Sequence, residues 1–343
     1  MKPVITFGEV MMRLAPPNYL RFFQTNSFDV TFCGAEANVS ASLARFGIPS
    51  DFITRLPKND LADACIGFLE KHNIGTKYIL RGGERLGVLF YEYGSSQRAS
   101  KVIYDRANSA IATVEPGMFA WHEIFSNASW FHFSGITPAL SQGCANACLE
   151  AVQIAYSLGI TISCDMNYRA NLWRWGRTAH EIMPELISKS SILVGNEEDA
   201  EKVLGIHPSG VDVTKGQVSA TYYYEAFAEI SNRFSNLEII VFTLRGSRSA
   251  SNNSWSAVIW NRGKIFTAPT YEITPIVDRV GAGDSFMAGL IYGITTYSNL
   301  QDALCFATAA SCLKHTIVGD FNVVSIEEVK KLMSGDISGR VVR

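Results

Sequence analysis

Short apolar runs alternate along this chain with longer stretches of helical periodicity, and that alternation restricts the fold more than any other feature. Val4–Phe7, Ser50–Ile53, Trp130–Phe133, Thr161–Cys164, Ile192–Val194 and Ile239–Leu244 read as strands buried on both faces. Ala37–Phe46, Asp60–His72, Cys144–Leu158, Ala179–Ser188 and Glu198–Leu204 read as the helices between them. Ser285–Tyr292, Leu300–Lys314 and Ile326–Ser334 continue the series. Strand–helix–strand order of this kind makes a mostly parallel sheet with helices packed on both faces, a doubly wound α/β architecture. The chain has 343 residues, 47% hydrophobic and 18% charged, which is enough apolar material for such a core in one domain over 1–343.

Two segments break the alternation. Residues 11–33 and 84–107 carry aromatic and β-branched residues at near period-2 spacing, as in Val88-Leu89-Phe90-Tyr91-Glu92-Tyr93, without crossover helices. They read as a small β-sheet lid over an active site, or as an antiparallel extension of the main sheet with no gating role. Residues 206–225 read as a long surface connection before a helix.

A net charge of -2 gives no support to bulk nucleic-acid binding. The N-terminus runs straight into a short strand without a signal-peptide pattern, and no apolar stretch is long enough to span a bilayer. Cys33, Cys65, Cys144, Cys148, Cys164, Cys305 and Cys312 are odd in number and scattered, so buried free thiols are expected rather than disulfides or a zinc site. These features predict a soluble cytoplasmic protein.

The chemistry concentrates in Asp278-Arg279-Val280-Gly281-Ala282-Gly283-Asp284-Ser285, which opens an apolar helix. Glycines at a helix entrance let backbone N–H groups approach an anion, where the helix dipole favours negative charge. A carboxylate beside that hole is placed to take a proton from an attacking nucleophile, although Asp284 as a plain N-cap is the simpler alternative. Cys33-Gly34-Ala35-Glu36-Ala37-Asn38 is a second glycine-bearing helix entrance, with Asn38 offering both a donor and an acceptor.

Further polar clusters follow predicted strands, where α/β sheets bind ligands. Tyr104-Asp105-Arg106 ends a lid strand, and Asp165-Met166-Asn167-Tyr168-Arg169 follows Thr161–Cys164. Arg106 and Arg169 suit a shared anion, or else surface ion pairs. Gly195-Asn196-Glu197-Glu198-Asp199 offers carboxylates that hold Mg²⁺ through water, or that complement a helix dipole. Thr243-Leu244-Arg245-Gly246-Ser247-Arg248 suits phosphates, or is an ordinary glycine turn. Neither a P-loop nor a dinucleotide-binding fingerprint is present, and no H-E-x-x-H or G-x-S-x-G occurs. Trp173 and Trp175 read as packing or lid residues.

Taken together, Gly34-Ala35-Glu36-Ala37-Asn38, Asn196 with its following acids, and Gly281-Ala282-Gly283-Asp284 with Asp278 three residues earlier resemble the ribokinase family of sugar kinases, the phosphofructokinase-B type. The likeness covers nearly the whole chain. Tyr104-Asp105-Arg106 with Ser109-Ala110, Ser134-Gly135-Ile136, Asp165-x-Asn167-x-Arg169-x-x-Leu172-Trp173 and Gly319-Asp320 resemble the subgroup that acts on 2-keto-3-deoxygluconate. The resemblance implies a ribokinase-like fold with a β-lid, ATP and Mg²⁺ as co-substrates, and transfer of the γ-phosphoryl group to the 6-hydroxyl of that sugar acid. Asp284 would be the catalytic base, and Gly281, Ala282 and Gly283 the anion hole. Gly34, Asn38, Tyr91, Tyr104, Arg106, Arg169, Asp284 and Asp320 would surround the sugar acid. Asn167, Asn196, Thr243, Arg245, Gly246, Arg248, Gly281 and Gly283 would lie on the nucleotide side, with Asp199 holding the metal through water. A homodimer or higher homo-oligomer built through the lid is also implied. A fructokinase or other neutral-sugar kinase, and a non-catalytic sugar-acid sensor on the same fold, are the alternatives.

Three departures accompany the resemblance. Asp199 ends Asn196-Glu197-Glu198-Asp199 where the family commonly has a glutamate. Ser249 follows Arg248 where a glycine is frequent. Arg279-Val280 replaces the usual threonines after Asp278.

Overall fold

The computed structural model describes residues 1–207 and 220–336. Its main sheet has nine strands. In spatial order, eight of them are Lys264–Thr267, Asn252–Asn261, Ile239–Ser249, Ile192–Gly195, Thr161–Asp165, Trp130–Ser134, Val4–Phe7 and Ser50–Ile53, with Tyr271–Ile273 pairing onto Asn252–Asn261. The six strands from Ile239–Ser249 to Ser50–Ile53 are mutually parallel, as fully buried apolar runs demand. Beyond them, Ile239–Ser249 doubles back into Asn252–Asn261 as an antiparallel hairpin. That long hairpin was not foreseen beyond Leu244, because Ser247, Ser249, Asn252 and Asn253 break the apolar pattern.

Helices cover both faces. Gln142–Ser157, Ala179–Ile187 and Ala220–Arg233 share one apolar cluster with Phe131, Leu193 and Ile240 of the sheet. Ala35–Arg45, Ala282–Thr296, Leu300–Lys314 and Ile326–Met333 share another with Val4, Val241 and Ile259. The alternation of inward residues along each strand thus feeds two cores, as in doubly wound folds. The start of the Ala220–Arg233 helix moves Tyr222–Tyr224 out of the connection expected over 206–225; residues 208–219 of that connection lie outside the described residues.

Residues 11–33 and 84–107 supply a separate four-stranded sheet, not an extension of the main one. Met11–Ala15 lies at its centre, antiparallel to Asp29–Cys33 and parallel to Gly87–Glu92, which pairs in turn with Lys101–Asp105. Its inner face carries Met11, Leu89 and Tyr91 toward the carboxyl ends of the main strands. All seven cysteines are free thiols, and five are buried. Among the described residues, no helix is long and apolar enough to cross a membrane.

Candidate active site

The carboxyl ends of the parallel strands and the inner face of the small sheet enclose a cleft of about 710 Å³. Its floor is the start of the Ala282–Thr296 helix. Gly281 caps that helix with φ 81°, a left-handed conformation, and a Cβ there would run into the carbonyl of Asp320. The loop before it is held by Asp278, whose Oδ1 accepts from Val280 N at 3.1 Å and whose Oδ2 accepts from Gly319 N at 3.1 Å. Ser285 N turns back to the Gly281 carbonyl at 2.8 Å, while the N–H groups of Gly283 and Asp284 have no protein acceptor among the described residues. A Cβ on Gly283 would meet nothing within 4 Å, and Gly283 and Asp284 both line the cleft. Backbone donors at the positive end of a helix are suited to hold an anion.

Asp284 stands beside it, 9% exposed. Asn38, from the Ala35–Arg45 helix, donates its Nδ2 to Asp284 Oδ2 at 2.7 Å, leaving Oδ1 to face the cleft. Asn38 Oδ1 accepts from Gly34 N at 3.3 Å, which joins the two glycine-bearing helix entrances through one amide side chain. Burial pushes the Asp284 carboxyl up to about 7; the Asn38 hydrogen bond opposes the shift, and Glu36 and Asp320 add to it. Glu36 anchors this end of the helix: Ser134 donates to its Oε1 from the backbone at 2.9 Å and from the hydroxyl at 2.6 Å.

The expected arginines separate in an informative way. Arg106 and Arg169 both line the cleft, but Arg106 is buried and gives Nε and Nη2 to Glu9 Oε2, with Ser109 donating to Glu9 Oε1 at 2.6 Å. Its guanidinium also lies over the Tyr104 ring, 5.2 Å from the centroid. Arg106 therefore arrives already neutralised, and the expectation that it brings a net positive charge to an anion needs correcting. Arg169 is exposed, has no carboxylate partner among the described residues, and donates to the Tyr168 carbonyl at 2.8 Å. Asp320 reaches the cleft wall but pairs with Arg13, which also donates to Asp278 Oδ2 at 2.8 Å. Arg13 lies over the Tyr91 ring at 4.2 Å, so the small sheet and the anion loop share one buried cation.

On the opposite wall, Asn196 caps the Glu197–Asp199 turn, with its side chain accepting from Asp199 N at 3.0 Å. Asp199 accepts from Asn196 N at 3.0 Å and from Tyr168 N at 2.8 Å, so both its oxygens are engaged by the backbone. A π-helical turn, Ala200–Leu204, follows. Asn167 has φ 36°, and its Oδ1 is buried without a partner. Its backbone N–H donates to Asp165 Oδ1 at 3.2 Å. Burial, then the nearby Asp199 and Asp284 charges, hold the Asp165 carboxyl well above its ordinary range. Thr243 and Arg245 line the same wall, with Arg245 over the Trp255 ring at 5.1 Å.

The cleft thus gathers Gly34, Asn38, Tyr91, Tyr104, Arg106, Asn167, Arg169, Asn196, Asp199, Thr243, Arg245, Gly281, Ala282, Gly283, Asp284 and Asp320. Gly246 and Arg248 do not reach it. Arg248 points the other way, to Glu272 at 2.9 Å, because side chains alternate along the Ile239–Ser249 strand and only Thr243, Arg245 and Ser247 face inward. Glu9, Asp165 and Arg279 also line the cleft; Asp165 and Arg279 were quoted from the sequence without a role in the site, and Glu9 was missed. Glu9 and Asp165 were within reach of the strand-end rule, since each sits at or just beyond the carboxyl end of a parallel strand. Trp173 packs against the core and on Trp175, whose Nε1 donates to Pro138 O at 3.2 Å.

A model of the pfkB family carbohydrate kinases matches residues 1–323, and the chain belongs to that family. It is therefore a kinase with the mixed α/β fold of the ribokinase type. A 2-dehydro-3-deoxygalactonokinase of Haloferax volcanii is 30% identical over 336 residues, spanning 98% of each chain. A 2-dehydro-3-deoxygluconokinase of Bacillus subtilis is 24% identical, over 94% of this chain and 93% of the relative. The crystal structure of a 2-dehydro-3-deoxygluconokinase from Thermotoga maritima superposes with a TM-score of 0.92 at 48% identity, over 98% of this chain and 100% of that one.

Proposed function

We propose that this kinase phosphorylates the 6-hydroxyl of 2-keto-3-deoxygluconate, taking the γ-phosphoryl group from ATP. The observation that carries the reading is the juxtaposition of Asp284, held by Asn38, with the N–H groups of Gly283 and Asp284, which have no acceptor among the described residues, at one helix entrance. Oδ1 of Asp284 draws the proton from the sugar hydroxyl as its oxygen attacks the γ-phosphorus, and the backbone donors stabilise the charge gathering on the transferring group. The opposite end of the substrate carries a carboxylate, which suits Arg169, the cleft arginine on that side without an acid of its own. Arg106, fixed by Glu9, offers its remaining N–H donors and Tyr104 its hydroxyl as orienting groups. The names of the relatives support a 2-keto-3-deoxy sugar acid over a neutral sugar.

The nucleotide fits the wall formed by Asn196, Thr243 and Arg245. Mg²⁺ suits the same wall through water: among the described residues no group of three acidic, histidine or cysteine side chains is placed to hold an ion directly, and Asp199, both of whose oxygens accept from the backbone, has only its remaining lone pairs to offer. When bound there, the ion would neutralise phosphate charge. The small sheet, acting as a lid within one kinase domain over 1–343, would exclude water from the transfer. Its outer face exposes Val30 (55%) and Ile103 (53%), which supports covering by a second copy; light scattering would then give a mass above 37.7 kDa. A cytoplasmic location is part of the same reading.

A coupled ADP-release assay across 2-keto-3-deoxygluconate, its galactonate epimer, gluconate, fructose and ribose tests the reading. Turnover led by one or both keto-deoxy acids is expected. Faster turnover of fructose or ribose would assign a neutral-sugar kinase, and sugar-acid binding with no ADP release would assign a sensor.

A further inference from the structure

Arg13, Arg106, Arg169, Arg245 and Arg279 stand at or behind the cleft, and they divide by whether a carboxylate neutralises them. Arg13 has Asp278 and Asp320, and Arg106 has Glu9. Arg169, Arg245 and Arg279 have no carboxylate partner among the described residues. Arg279 stands beside the anion loop and takes no part in the transfer proposed above.

Arg279 is half-buried and lines the cleft beside Val280 and Gly281. Its Nη2 donates to the carbonyls of Ser249 and Ala250 at 3.1 and 2.7 Å. Two carbonyls form a neutral clamp, which fixes the direction of the guanidinium and leaves its charge uncompensated. Nε and Nη1 have no protein acceptor among the described residues, so donors remain for something else. The neighbouring Arg245 registers the crowding: loss of hydration, then Arg279 and Arg169, push its guanidinium down to about 10. Mutually repelling guanidiniums held in a cleft await an anion.

We infer that Arg279 is a further catalytic residue, a guanidinium that grips an oxygen of the nucleotide's terminal phosphates from the loop that also carries the anion hole. The inference rests on the kinase reading above. Chain position favours phosphate over the carboxylate of a sugar acid. Arg279 lines the cleft together with Gly281, Gly283 and Asp284 and precedes Gly281 by two residues, on the loop that leads into those N–H groups. A fixed cation there stabilises charge spreading over the transferring oxygens. The clamp also rests on the small sheet: Ala250 N donates to Ser96 O at 2.8 Å, and Ser96 N to Ser251 Oγ at 2.9 Å. The turn that aims Arg279 is thus the turn on which the loop of the small sheet sits.

The test compares wild type, Arg279→Met and Arg279→Lys, in turnover and in calorimetric binding of ADP and of an imido-bridged ATP analogue without sugar. For Arg279→Met, kcat should fall about 100-fold, in line with loss of one charge-stabilising donor. Analogue affinity should fall about tenfold, ADP affinity and the KM for the sugar acid about twofold or less, and added guanidinium ion should restore part of kcat. Arg279→Lys should retain more analogue affinity than the methionine variant. Unchanged kcat and analogue binding, or a defect confined to the KM for the sugar acid, would overturn the inference. Should the methionine variant fail to fold, equal losses of ADP and analogue binding in the lysine variant would overturn it. Absence of wild-type turnover on every sugar would count against the kinase reading alone, because the binding arms still judge Arg279.

Discussion

Asn38 Nδ2 lies 2.7 Å from Asp284 Oδ2, joining two helices that are 246 residues apart in the chain. That bond does two things for a base. It holds one carboxylate oxygen so that the other faces the cleft, and it partly offsets a burial that has pushed the carboxyl up to about 7. Asp284→Asn keeps the shape and removes the basicity. Steady-state assays should show kcat reduced by about 10²–10⁴-fold with an unchanged circular dichroism spectrum. Turnover within a few-fold of wild type would take Asp284 out of the base role.

The same carboxyl sets a pH dependence. The proton acceptor must be ionised, so kcat/KM should rise with pH through a midpoint near 7 and level off above it. Stability should run the opposite way. The folded pKa lies above the ordinary value of 3.8, so the folded chain binds more protons than the unfolded chain between about pH 4 and 7. The contribution of this group to stability is therefore lost as pH rises through that window. In Asp284→Asn that loss is absent, and its Tm should exceed the wild-type value at pH 8, with the gap closing toward pH 5.

Asn38→Ala tests the bond from the other side. Without the amide donor the Asp284 carboxylate is less favoured, so the midpoint of the kcat/KM profile should move above the wild-type position. The deficit should be roughly tenfold at pH 7 and smaller at pH 9. A profile shifted to lower pH, or not shifted at all, would show that Asn38 does not act through Asp284.

Much of this arrangement is legible in the sequence because it follows from local rules. Buried parallel strands announce themselves as apolar runs, and residues just past their parallel pairing land in the cleft: Asn167, Arg169, Asn196, Thr243 and Arg245. Pairing is less legible. Nothing in the local sequence of Tyr104-Asp105-Arg106 says that Glu9, 97 residues earlier, will neutralise Arg106. Nor does Asp278 announce that Arg13 of the small sheet will reach it. Strand phase is the third gap: Arg245 and Arg248 look alike in sequence, and only the length of the Ile239–Ser249 strand decides that one faces the cleft and the other faces Glu272.

The two cleft arginines proposed to face the sugar acid should separate in the laboratory. Arg169→Met removes an exposed guanidinium without a carboxylate partner, so stability should hold while the KM for the sugar acid rises about 10–100-fold and the KM for ATP stays within about threefold. Arg106→Met strands Glu9 as a buried charge, and chemical denaturation should show a loss of about 3–5 kcal/mol. The double variant Glu9→Gln with Arg106→Met should regain part of that loss. Equal stability for the two single variants would contradict the buried Glu9–Arg106 pair.

The anion loop gives the last contrast, between two glycines two residues apart. Gly281 has φ 81° and its Cα faces the Asp320 carbonyl, so Gly281→Ala introduces both backbone strain and a clash with main chain. Its Tm should drop by several degrees, since about 1–3 kcal/mol is lost to an unfavourable backbone conformation before any shift of the Asp320 segment. Gly283 lies within the helix, has no neighbour within 4 Å of a built Cβ, and is not in the left-handed region. Gly283→Ala should fold as well as wild type or slightly better, because alanine is the stronger helix former. Its new methyl group, however, projects into the space over the N–H donors of Gly283 and Asp284. The variant should therefore keep its Tm while its KM for ATP rises and its kcat falls by at least about tenfold. A Gly283→Ala enzyme with wild-type kinetics would mean that no phosphate approaches this helix entrance, and the reaction would have to be moved elsewhere in the cleft.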